Sequence, residues 1–163
     1  MAAQLGCIAH ERISTLNATG HAHPRTFLLF TPRKAFPLGN RSPLWLSVAQ
    51  TVRIDSETDS GRSPVEIIGY VYRVGFGDEG NQEVLSYHFD PYNEESGSRE
   101  PHFHVGRSAY QPLSTGPVQH FHKRHVPTGH VTFPMVVRFL IEELRVEPIN
   151  PNWERILSET ASS

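Results

Sequence analysis

Residues 100 to 130 read EPHFHVGRSAYQPLSTGPVQHFHKRHVPTGH and hold six of the ten histidines of the chain: His102, His104, His120, His122, His125 and His130. Arg107, Lys123 and Arg124 are interleaved with them. Imidazole titrates near neutral pH and is the commonest nitrogen ligand for first-row metals. One reading of the stretch is therefore a metal site. If His102-x-His104 and His120-x-His122 lie on neighbouring strands, four imidazoles share one sheet face, because alternate residues of a strand point the same way. Glu100 would then add a ligand or orient a ligating ring. Zn–N bonds are about 2.0–2.1 Å, so three ring nitrogens within about 4 Å of a common point would favour zinc. The carboxylates that cupin, JAMM and zincin patterns need are absent at their offsets.

A second reading needs no metal. His102, His104, His122 and His125 could act as general acid and base. Arg107, with Lys123 and Arg124, could hold a phosphate and stabilise its transition-state charge. Metal-independent RNA cleavage asks for little else, since the 2′-hydroxyl of the substrate is the nucleophile. The stretch between the two histidine pairs is irregular and does not fix them side by side. That favours the metal-free chemistry, with RNA as substrate and no cofactor. A third reading makes the chain a non-enzymatic protein- or ligand-binding module whose histidines are solvated polar positions; six of them in 31 residues argue against every one being inert.

The elements that must carry these residues follow from the rest of the chain. Its 163 residues suffice for a single domain with one hydrophobic core. The net charge of −2 supplies no global attraction to nucleic acid or anionic lipid. One cysteine, Cys7, excludes an internal disulfide and a thiolate zinc site and fits a reducing, cytoplasmic setting. The N-terminus shows no signal peptide, and no apolar run approaches the 18 or so residues of a membrane span.

Residues 1 to 24 show no steady period and read as loop-like. Strands are expected at Arg25–Thr31, Leu44–Ile54, Val65–Phe76, Gln82–Asp90 and Pro101–Arg107. Val84, Ser86, His88 and Asp90 share one face of the fourth. A further short strand is a candidate at Val118–His122. Phe133, Val136, Val137, Leu140, Ile141 and Leu144 form one apolar stripe, so the spacing predicts a helix from Phe133 to Val146 with Thr132 as its N-cap. Asn150-Pro151 opens a last short helix, and residues 159 to 163 should fray. The expected architecture is α+β: an antiparallel sheet of about five strands with a C-terminal amphipathic helix packed on one face.

The segments YRVGFGDEGNQEVLSYHFDP, PHFHVG and FHKRHVPTG, followed by an apolar helix, resemble the TumE-like small toxin proteins of bacterial toxin–antitoxin modules. The likeness covers about residues 65 to 146. It implies a cytosolic bacterial protein, a ribonuclease-like toxin with an antitoxin partner, and it carries over by motif position to His102, His104, His122, His125 and Arg107. Residues 1 to 64 make the chain longer than such toxins.

Overall fold

The computed structural model describes residues 1–17, 25–31, 35–40, 42–55, 65–77, 82–92, 98–106 and 124–159. In chain order they form α1 (Ala2–Leu5), β1 (Ser14–Asn17), β2 (Arg25–Phe30), β3 (Phe36–Pro37), β4 (Leu44–Ile54), β5 (Val65–Phe76), β6 (Gln82–Phe89), β7 (His102–Val105), β8 (Val126–Pro127), α2 (Phe133–Glu142) and α3 (Trp153–Glu159). The strands make one antiparallel sheet in the order β1-β2-β4-β5-β6-β7-β8, with β3 also paired to β4.

This corrects the expected count of about five strands to eight. β2, β4, β5, β6 and β7 are the five that periodicity shows. The other three, β1, β3 and β8, are two to four residues long. Such pieces are too short to display alternation, and β3 and β8 each end in a proline. They join through backbone pairing to a neighbour already in place, a non-local effect that their own residues do not announce. Val118–His122 lies outside the described residues. The α+β arrangement with a C-terminal helix on one face holds.

Alternation along β4, β5 and β6 separates two faces. One carries Leu46, Val48, Tyr70, Tyr72 and Val74, all buried, with Leu85, Tyr87 and Phe89 packed beside them. The helices cover this face. In α2, Phe133, Val136, Val137, Leu140 and Ile141 are buried, as the stripe predicts. Phe133 packs on Tyr72 at 5.6 Å between ring centroids, and the Val131 N–H donates to the Tyr70 hydroxyl at 2.9 Å. Thr132 caps the helix by accepting from the Met135 N–H. The helix stops at Glu142, short of Val146. Arg145 takes a φ of 57°, and the Val146 N–H returns to Leu140 O, which keeps Val146 in the core. Leu5, Cys7 and Ile8, from the segment read as loop-like, are fully buried in this core.

Candidate metal centre

The opposite face, which no helix among the described residues covers, holds the chemistry. β6 and β7 pair with His88 opposite His102, Tyr87 opposite Phe103 and Ser86 opposite His104. Tyr87 and Phe103 turn to the core side, so His88, His102 and His104 share the other. β8 pairs Val126 with Phe103, and His125 just before it brings a fourth ring to the same place. The His125 centroid is 4.6 Å from those of both His102 and His104. His88 lies 5.0 Å from His104 and 5.7 Å from His102, which are 4.9 Å from each other.

One ring nitrogen from each of His88, His102 and His104 falls within 4.8 Å of the other two. All three therefore lie no more than about 2.8 Å from a common centre, 4.8 Å divided by √3. That is inside the 4 Å criterion set from Zn–N bond lengths. Tetrahedral ligation with such bonds puts nitrogens roughly 3.4 Å apart, a contraction within reach of small ring rotations. The donor chemistry fits as well. The Nδ1 of His102 lies 2.7 Å from the carbonyl oxygen of Glu100. A carbonyl only accepts, so Nδ1 carries the hydrogen and Nε2 keeps its lone pair. A ring of His104 is held in the same manner by the backbone carbonyl of Arg124. The Nε2 of His88 is buried and has no hydrogen-bond partner among the described residues. Orphaned buried polar atoms are uncommon, and an unplaced ion is one account of them.

Protonation is tuned in the same direction. Burial, then the neighbouring imidazole of His104, the Arg73 guanidinium and the rings of His102 and His125, push the pKa of His88 down to about 4. Burial and the rings of His125 and His102 lower that of His104, against the Arg124 carbonyl. Both are neutral at pH 7, the form that binds metal.

The backbone holds the cluster tightly. Ser86, 1% exposed, sits between His104 and Arg73 in the register, and its hydroxyl donates to Glu83 Oε1 at 2.8 Å. Arg73 Nε lies 3.7 Å from the same carboxylate. A bulge in β6 between the partners of Val74 and Gly75 turns the Glu83 carbonyl toward β7. Gly106 meets it there. A Cβ on Gly106 would stand 1.8 Å from Glu83 O, and its N–H donates to Val84 O at 2.7 Å.

Of the residues singled out from sequence, His102, His104 and His125 converge. His120, His122, Arg107 and Lys123 lie outside the described residues. Arg124 is exposed, and its backbone carbonyl is a partner of the His104 ring. Glu100 acts through its carbonyl, not its carboxylate. His88 was missed as a ligand. Its signal was present: it lies on the strand next in order to the H-x-H strand, and sequential strands pair more often than not.

No protein-family model, curated protein or solved structure matches this chain.

Proposed function

We propose that the protein holds one first-row transition-metal ion, zinc foremost, on His88, His102 and His104, and that it is an enzyme using that ion as a Lewis acid. The observation that carries this reading is the convergence of three ring nitrogens within 4.8 Å on one sheet face. Structural zinc sites are mostly built on cysteine, whereas three imidazoles with a fourth position left for water or substrate are a catalytic set. Exposed His125, its ring centroid 4.6 Å from those of His102 and His104, would supply a fourth ligand or leave that position to water or substrate. A metal at such a site supplies an activated water and polarises a carbonyl or phosphoryl oxygen, which is hydrolytic chemistry. Arg73, near enough to His88 to lower its pKa, offers a positive charge to developing anionic oxygen.

The test is zinc titration of metal-stripped protein by calorimetry, with metal content read by elemental analysis. One zinc per chain, reduced by His88→Ala and by His102→Ala, supports the reading. No binding above that of a denatured control sinks it. The same preparation addresses the metal-free ribonuclease toxin with an antitoxin partner. RNA cleavage that survives chelation and is lost in His104→Ala plus His125→Ala would favour that alternative.

A further inference from the structure

The face that carries the histidines has a second feature beside them. Its central positions are small: Gly69 has no side chain, Ala49 and Thr51 little of one, and Leu28 and Val71 rise around them. The depression they leave has a volume of about 370 Å3. A register shift in the β4–β5 pairing between Thr51 and Val52 leaves Ile68, which also lines it, outside the Cα pairs. One strand pair links the cleft to the histidine cluster. Val71, which lines the cleft, is the cross-strand partner of His88. Such partners have Cβ atoms about 5 Å apart. Asp90, also lining the cleft, follows His88 by two residues, just past the end of β6.

An apolar depression opening beside metal-ligating imidazoles fits a ligand in two parts. We infer that the cleft takes the uncharged, apolar body of a small ligand whose oxygen-bearing head group binds at His88, His102 and His104. The walls select the body. Leu28, Ala49, Gly69 and Val71 offer aliphatic and bare backbone surface, and the Asp90 carboxylate disfavours an anionic tail. The size agrees: binding pockets for small molecules begin at about 300 Å3. The substrate class is thus an ester, amide or similar acyl compound with a neutral aliphatic or aromatic chain, not a free nucleotide. This inference rests on the metal reading, and its test is chosen to separate the two.

The zinc-loaded full-length protein is titrated with acetohydroxamate and with octanohydroxamate, two probes with the same metal-binding head and tails of different length. Burial of each methylene is worth about fourfold in affinity, so octanohydroxamate should bind at least about tenfold more tightly even if only part of its tail is covered. Ala49→Leu and, separately, Thr51→Leu fill the cleft. Each should erase the preference while zinc content and acetohydroxamate affinity stay as in the parent, which also shows that the variant is folded. Equal affinity of the two probes for the parent protein overturns the cleft assignment and leaves the metal centre standing. A preference that survives both fillings overturns it as well. Absence of zinc-dependent acetohydroxamate binding overturns the metal reading on which the inference rests.

Discussion

His88 and His102 are directly opposed across β6 and β7, and each reaches the cluster with a different constraint on its ring. His102, 3% exposed, has its Nδ1 committed to the Glu100 carbonyl. His88 has a buried Nε2 that no described group satisfies. One ring is thus oriented by the backbone, and the other is short of a partner that a metal ion would supply. Truncating a group that merely orients a ligand costs tenfold to about a hundredfold in metal affinity. His88→Ala removes a ligand itself, so its zinc affinity should fall by at least about 100-fold in competition titrations. His10→Ala, at an exposed position away from the sheet pair, should leave it unchanged.

Zinc should also stabilise the fold. At free zinc a hundredfold above Kd, mass action adds about 2.7 kcal/mol, roughly 5–10 °C in Tm for a domain of this size. Differential scanning fluorimetry with and without zinc measures the rise. A rise that persists in His102→Ala would show that the zinc acts elsewhere.

Gly106 tests whether the bulge of β6 positions the cluster. Any side chain there meets the Glu83 carbonyl, so Gly106→Ala must push β7 away from β6. Overpacking of this kind costs about 1–3 kcal/mol or more. Because His104 sits two residues before Gly106, zinc affinity should fall along with Tm. Gly129→Ala, where a Cβ would meet nothing within 4 Å, is the matched control. An unchanged Tm in Gly106→Ala would contradict the packing described.

The parts of the site legible in the sequence are those whose signal is local. The face shared by His102 and His104 follows from their spacing alone, and the α2 stripe from its period. His88 also lay on a face drawn with Ser86, and those two do share it; Val84, drawn on the same face, falls at the β6 bulge, and Asp90 lies past the end of β6. What no single strand discloses is the register that sets His88 opposite His102 rather than one pair along. That register depends on the β6 bulge and on Gly106 fitting against it. His125 is a similar case. It precedes a two-residue strand whose HVPTG sequence has turn composition, and only the pairing of that strand with Phe103 and His102 brings its ring beside those of His102 and His104. The burial of Leu5, Cys7 and Ile8 was hidden because α1 is barely one turn long. Periodicity needs about 11 residues or more to register.

The core on the other face gives a prediction independent of metal. Leu140 is completely buried at the middle of the α2 stripe. Leu140→Ala should cost about 2–5 kcal/mol of unfolding free energy. Urea denaturation reads this directly. Met135→Ala, on the exposed side of the same helix at 53% exposure, should change stability by less than about 1 kcal/mol. Equal effects of the two would mean that α2 does not pack as described.

The last prediction concerns acid. His88 has a folded-state pKa near 4, below the 6.5 of an ordinary histidine, and that of His104 is lowered in the same direction. Between those pH values the unfolded chain binds protons that His88 and His104 refuse in the folded state. Stability therefore rises with pH across that window, since the unfolded state binds more protons there. Above about pH 6.5 the contribution is fully present, and it is lost progressively as pH falls toward 4. The cause is physical crowding: a proton on His88 would be buried and set beside Arg73 and three other rings. Metal-free protein denatured in urea at pH 7.5, 6.0 and 5.0 should lose stability stepwise. His88→Gln, which keeps a polar side chain but cannot titrate, should flatten the slope. Zinc-loaded protein should resist until protons displace the ion, then release it and lose stability together, since ligation and protonation compete for the same lone pairs. A metal-free pH profile that is level from 7.5 to 5.0 would show that His88 and His104 are not held neutral by their surroundings.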